Sequence, residues 1–386
     1  MSSLLLAVIY LAFISLGLPD SLLGSAWPVL RQELQAPLAY AGYISMIIQC
    51  GTIASSLLSE RINRRLSTKY VTLLSVCMTA AALFGFSISG SFLALCLWAV
   101  PYGLGAGAID SALNNYVALH YSSRHMSWLH SFWGVGTIVS PYIMSYALVH
   151  ASWQSGYRWV CLLQAGIALV LLVSLPLWRA QSGASVPADA PLVGLRGALR
   201  ICGVPQLLIG FFAYCSMEAI AMLWTSSYLV SIRHLSAESA AAFASLFFIG
   251  ITAGRFLSGF MAERVGDRNM IRMGAGIALA GLICILLPLR ANTPALCGFI
   301  VLGLGCAPVY PSIIHSTPGY FGEKNSQAII GYQMASAYVG SAFMPSLFGL
   351  VANRVGLWIM PFCMLAFLAG MILMLECAYR RAKNRH

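Results

Sequence analysis

Apolar residues in this chain fall into long runs separated by short polar breaks, and the breaks carry most of the charge. Each run is roughly 20 residues, the length of helix that crosses a bilayer, and none shows the alternation of a barrel strand. The pattern predicts spans at 4–30, 38–58, 71–88, 92–117, 128–149, 158–178, 203–232, 240–260, 272–289, 295–316, 327–351 and 356–378. The first span has no basic stretch before it and is too long for a signal-peptide core, so it reads as a retained helix. The longest break, 179–202, is rich in Ser, Ala, Pro and Gly and reads as a cytoplasmic linker. It divides the chain into two expected six-helix bundles, 1–178 and 203–386.

Composition supports lipid as the solvent. Charged residues make up 9% and hydrophobic residues 59%, whereas a soluble domain is about a quarter charged. Open sheets and loops would leave backbone groups unpaired in hydrocarbon, so the expected fold class is an all-α membrane protein. With both termini in the cytoplasm, of the 22 Lys and Arg only Arg31, Arg158, Arg233, Arg290 and Arg354 lie outside and Arg255 lies within a span. The remainder, including Arg61, Arg64, Arg65, Arg124, Arg179, Arg264, Arg268, Arg272 and Arg385, lie inside, as the positive-inside bias requires. The net charge of +11 then faces anionic lipid. No basic tract with interleaved aromatics suggests nucleic acid. The 11 cysteines form no CxxC pair and read as buried free thiols. No loop is long enough for a catalytic domain, and no zinc-protease or nucleophile motif occurs. The expectation is a multi-pass protein of a cell membrane (the bacterial inner membrane), monomeric, without cofactor or metal, and not an enzyme.

The chain also repeats itself at a shift of about 200 residues, a mark of internal duplication. Ser56–Arg65 reads SLLSERINRR and Gly259–Arg268 reads GFMAERVGDR, so Glu60 and Arg61 fall on Glu263 and Arg264. Gly103-Leu-Gly105 matches Gly303-Leu-Gly305, and Gly136 with Pro141 matches Gly340 with Pro345. Asp20 with Trp27 matches Glu218 with Trp224 to within a residue. Equivalent points are six helices apart, which predicts parallel repeats with a solute pathway between them near the bilayer midplane.

Gly259, Glu263, Arg264, Gly266 and Arg268 resemble the loop signature G-x-x-x-[DE]-R-x-G-[RK]-[RK] of the major facilitator superfamily. Ser56, Glu60, Arg61, Asn63, Arg64 and Arg65 form a more degenerate copy. The resemblance implies the major facilitator fold of twelve transmembrane helices and alternating access by rocking of two halves. It also implies that Glu60, Arg61, Arg65, Glu263, Arg264 and Arg268 form cytoplasmic ion pairs that stabilise the outward-open state. Within the superfamily, Gly17-Leu-Pro-Asp20, the stretch from Gly105 through Asp110 to Asn114, Leu129-His130-Ser-Phe-Trp-Gly134 and Ala307-Pro308-Val-Tyr310-Pro311 are similar to the fucose–proton symporter branch, which includes glucose carriers. The fourth-helix acid is Glu in the fucose carrier and Asp110 here, one methylene shorter.

Of the 11 acids, Glu33, Glu60, Asp189, Glu238, Glu263, Asp267, Glu323 and Glu376 fall in loops or at helix ends. Asp20, Asp110 and Glu218 lie inside spans. A carboxylate in hydrocarbon costs at least a few kcal/mol, so these three should face a cavity or a partner, and they are the candidates for carrying a proton. Asp110 follows a glycine-rich run that admits a close neighbour, and Asn114 lies one turn on along the same face. Asp20 follows Pro19, which breaks the helix. Arg255 lies within about two turns of a span end, so snorkelling to the interface is expected. His130 reads either as an interfacial histidine or as a pathway residue. Trp27, Trp224, Tyr310, Gln49 and Gln333, with Asn114, suit a sugar site in which aromatic faces stack on a ring and amides bond hydroxyls, or else packing within the bundle.

The function expected from these features is import of a small polar solute, a monosaccharide or polyol, by proton symport, with sodium left open as the coupling ion. Two other readings stand beside it. One is proton-coupled export of drugs or metabolites, since Gly136-Thr-Ile-Val-Ser140-Pro141 resembles the antiporter motif of the fifth helix with Ser in place of Gly before Pro141. The other is a transport-dead nutrient sensor.

Overall fold

A computed structural model describes residues 3–37, 40–178, 192–235, 237–287 and 291–383. Arg179, Asp189, Arg290, Arg385 and most of the expected linker lie outside the described residues, as does the side chain of Glu238. Every regular element among the described residues is a helix. The chain forms two compact units, one of Met1–Tyr116 with Leu129–Leu192, the other of Val117–Trp128 with Val193–His386.

The first unit contains α1 (Ser3–Gly17), α2 (Leu22–Glu33), α3 (Tyr40–Leu57), α4 (Ser59–Ile88), most of α5 (Phe92–His120), most of α6 (Ser123–His150) and α7 (Trp153–Ser174). The second contains the connector 117–128, α8 (Gly194–Arg200), α9 (Val204–Arg233), α10 (Ala237–Val265), α11 (Asp267–Leu286), α12 (Thr293–Cys306), α13 (Val309–Phe321), α14 (Glu323–Val355) and α15 (Met360–Lys383). Among the described residues, ten helical segments are long and apolar enough to cross a membrane. The spans expected at 38–58 and 240–260 are helical, as α3 and α10, but stand outside those ten. In α3, Ser45, Gln49, Thr52, Ser55 and Ser56 dilute the apolar run.

Three local features follow from particular residues. Pro19 has no amide hydrogen to donate, and the first span breaks there into α1 and α2. The span at 295–316 breaks at Ala307–Pro308 between α12 and α13. By contrast, the polar stretch 59–70, expected as a loop, is helical and continuous with the next span in α4, and its irregularity is confined to Ser67 (φ 55°, ψ 156°). Glu60 and Arg64, one turn apart and 3.1 Å between charged atoms, stabilise that extension.

Both units distribute polarity as lipid demands. Leu93, Val149, Val173 and Leu373 are 65–75% exposed, a surface suited to hydrocarbon. Ser15, Asn114, Gln164, Thr317 and Gln333 are buried. Ser15 and Gln164 clamp α1 to α7, the hydroxyl donating to Oε1 at 2.5 Å and the amide donating to the Ser15 carbonyl at 2.6 Å. A side chain at Gly103 would collide with the Ile48 carbonyl of α3, and one at Gly303 with the Phe247 carbonyl of α10. The matched glycines thus make the same kind of approach, each to the second span of its own expected half. Thr52 donates to the Gly103 carbonyl at 3.2 Å and Ser56 to that of Gly107 at 3.4 Å, which fixes the part of α5 that carries Asp110.

Candidate functional site

In the first unit, the i, i+4 spacing on α5 lets the Asn114 amide donate to Asp110 Oδ1 at 2.8 Å. His130 Nε2, from α6, lies 3.1 Å from Asn114 Oδ1. An amide oxygen only accepts, so His130 carries its proton on Nε2 here. The edge of Phe13 abuts the imidazole, with centroids 5.5 Å apart. Asp110, Asn114 and His130 are 4%, 0% and 6% exposed. Three expected site residues therefore form one buried polar chain.

Asp20 sits in the break between α1 and α2 and is exposed. The Tyr102 hydroxyl donates to its Oδ1 at 2.7 Å and the Trp133 indole to its Oδ2 at 2.9 Å. Tyr102 and Trp133 were not singled out by sequence, although both lie in stretches that carry chemistry. Tyr102 adjoins the glycine run, and Trp133 is three residues from His130. Trp27 is buried in α2. Gln49 is half-buried on α3, and its Oε1 is buried without a hydrogen-bond partner among the described residues.

In the second unit, α9 runs unbroken past Glu218, unlike the matching stretch at Asp20. Arg255 on α10 donates to Glu218 Oε1 at 3.1 Å, with both side chains buried. This corrects the expectation that Arg255 snorkels. The intramembrane acid draws the guanidinium inward, because an unpaired charge on either side would cost more than the extension to the interface gains. The guanidinium lies 5.9 Å from the centroid of Tyr310. Phe211 and Tyr214 complete an aromatic cluster with Tyr310. Trp224 donates to the Pro345 carbonyl at 2.9 Å. Gln333 accepts from Thr317 at 3.0 Å, while its Nε2 is buried without a partner among the described residues. Glu218 and Tyr310 thus gather around Arg255, whereas Trp224 and Gln333 bond elsewhere in the unit.

The loop signatures differ from each other. In the first, Glu60 pairs with Arg64, and Arg61 and Arg65 are exposed. In the second, Glu263 pairs with Arg124 of the connector at 2.7 Å and accepts from Ser122 at 2.5 Å. The Ser122 hydroxyl and Arg124 hold the Glu263 carboxyl below its ordinary value. Arg268 pairs with Glu376 on α15 at 2.5 Å, and Arg272 joins that carboxylate at 2.6 Å. Arg264 is exposed. Arg124, Arg272 and Glu376 are functional candidates that the signature alone does not mark.

The family model of the Major Facilitator Superfamily matches residues 9–299 and 206–385, and the chain belongs to that superfamily. It is 22% identical over 383 residues to bypass of stop codon protein 6 of Saccharomyces cerevisiae, covering 90% of this chain and 77% of that protein. It is 23% identical over 393 residues to an uncharacterized MFS-type transporter of Yersinia pestis, covering 97% and 94%. Its fold is similar to that of FucP in the outward conformation, with a TM-score of 0.80 at 15% identity over 97% of this chain and 98% of that one. FucP is the E. coli fucose:proton symporter. The chain is a multi-pass integral membrane protein with a transporter fold rather than an enzyme, and the superfamily's mechanism is secondary active transport by alternating access.

Proposed function

We propose that this chain imports a small polar solute, a monosaccharide or similar polyol, together with a proton, by alternating access of two parallel six-helix repeats. The observation that carries the reading is the buried chain of Asp110, Asn114 and His130. A proton gained or lost at this carboxyl changes the charge buried along the pathway, which is what coupling to protons requires. Asp20 suits the solute. It offers a carboxylate to hydroxyl donors and is held by the Tyr102 hydroxyl and the Trp133 indole N–H. The likeness to FucP supports a sugar. In this reading Asn114, His130, Trp27, Gln49, Trp224, Tyr310 and Gln333 line the pathway, and Glu218 serves coupling from the second unit. Glu60, Arg61, Arg65, Glu263, Arg264 and Arg268 govern conformation. Adding α3 and α10 to the ten apolar segments gives twelve spans, with both termini cytoplasmic in a bacterial inner membrane.

A ligand of the folded state raises its melting temperature, so a panel of sugars and of organic acids on purified protein is the first test. A rise with a monosaccharide, followed by its uptake into proteoliposomes under a pH gradient, supports the reading. A rise with organic acids alone would replace the sugar, and uptake driven by a sodium gradient would replace the proton.

A further inference from the structure

His315, on α13, is bonded at both ring nitrogens. Nδ1 lies 2.7 Å from Asp267 Oδ2 at the start of α11, and Nε2 lies 3.1 Å from the Tyr121 carbonyl of the connector. A carbonyl only accepts, and an ionised carboxylate only accepts. Neutral imidazole has one donor and one lone pair, so it satisfies one partner and turns a lone pair on the other. Both contacts hold together only when the Asp267–His315 pair carries one proton more than a neutral ring and a free carboxylate. Asp267 Oδ1 is buried without a partner among the described residues, so this carboxylate depends on His315 for its compensation.

The pair has access to water. It lines a cavity of about 580 Å³ with Arg268, Tyr320 and Glu323, and its two side chains are 19% and 17% exposed. Of the charged groups there, Arg268 is engaged by Glu376. Tyr379, from α15, bonds Ser316 beside His315. The connector's other charged contacts are Arg124 with Glu263, and its own titratable neighbours are His120 and His125. His315 reaches the carbonyl of Tyr121.

We propose that the Asp267–His315 pair is a second proton-binding site, which fastens the connector 117–128 to α11 and α13 when loaded and releases it when empty. The proton comes from and returns to water in the cavity. This goes beyond the coupling role given to Asp110. The connector continues into α5 and α6, which carry Asp110, Asn114 and His130, so its fastening constrains the ends of the helices that bear the proposed transport site.

The test needs no solute. Hydrogen exchange of peptides covering 117–128 is measured on the purified full-length protein between pH 5 and 8, with rates corrected for intrinsic exchange. In the parent, protection falls on the order of tenfold as pH rises, the loss of one charge-assisted hydrogen bond. His315→Gln, which donates to one partner only, is flat at the high-pH level. Asp267→Asn supplies an amide donor to the lone pair of the neutral ring, so both contacts hold without the extra proton and protection stays at the low-pH level across the range. His125→Gln retains the parental profile. A parental protection indifferent to pH overturns the proposal. So does a His315→Gln protein that keeps the parental dependence, or a His125→Gln protein that loses it. If His315→Gln does not fold, the parental titration and the flat, protected profile of Asp267→Asn decide, and an Asp267→Asn protein that keeps the parental fall overturns the proposal.

Discussion

The guanidinium of Arg255 lies 3.1 Å from Glu218 Oε1 in the interior of the second unit, where neither side chain is more than 10% exposed. Removing one member strands the other charge, which costs about 3–5 kcal/mol in buried pairs. Glu218→Gln and Arg255→Met should each lower stability by several kcal/mol in denaturant or thermal unfolding of purified protein. Joining them in one chain should recover most of the loss. A Glu218→Gln protein that loses stability yet keeps transport coupled to protons would remove Glu218 from the proposed coupling role and leave it a structural partner of Arg255.

Asp110→Asn preserves shape and fixes the neutral form. Accumulation of solute driven by a pH gradient should fall at least tenfold, because the proton can no longer be released, while solute exchange in proteoliposomes should persist. Asp20→Asn, made alone and with Asp110→Asn, shows whether the two acids share the work. Undiminished accumulation by Asp110→Asn would remove Asp110 as the proton carrier.

Glu263 gives a pH dependence of the opposite sense to that of His315. Its folded value is depressed by the Ser122 hydroxyl and Arg124. Its stabilising contribution is therefore complete above the ordinary value of 4.5 and is lost as pH falls through the lower folded value. Protection of 117–128 should decline again below that point, and Glu263→Gln should abolish this acid limb while leaving the limb near neutrality. An acid limb surviving in Glu263→Gln would assign it to another carboxyl.

Topology is open to direct assay. Basic residues cluster on one side, so both termini are expected in the cytoplasm. A reporter fused after His386 that is active only in the periplasm would reverse the orientation and the loop assignments with it.

What was legible in the sequence was local. Asp110 and Asn114 share a face because they are four residues apart, and Pro19 marks the break beside Asp20 because it lacks a donor. The partners of Asp20 stand 82 and 113 residues away, and nothing in periodicity joins them. Arg255 was misplaced for a related reason. Its distance from the helix end was readable, but its acid lies 37 residues off on another helix. Still, an interior acid and a lone intraspan arginine in one half were a pair waiting to be matched. Polarity alone makes the stretch 59–70 a loop, although Glu, Arg and Lys are good helix formers that suit a helix emerging into water. Asp267 reads in the sequence only as a helix-end acid and nothing there joins it to His315, since the significance of an imidazole lies in what faces each nitrogen.

Under the proposed role of Asp20 in meeting the solute, its two donors also bear on selectivity. Tyr102 and Trp133 fix the direction of each carboxylate oxygen, so the rotational freedom of this side chain is surrendered when the protein folds and not when a ligand arrives. Whatever meets Asp20 meets acceptors whose remaining lone pairs already point along set lines. Stereoisomers of equal size and polarity would then be told apart by the angle of a single hydroxyl.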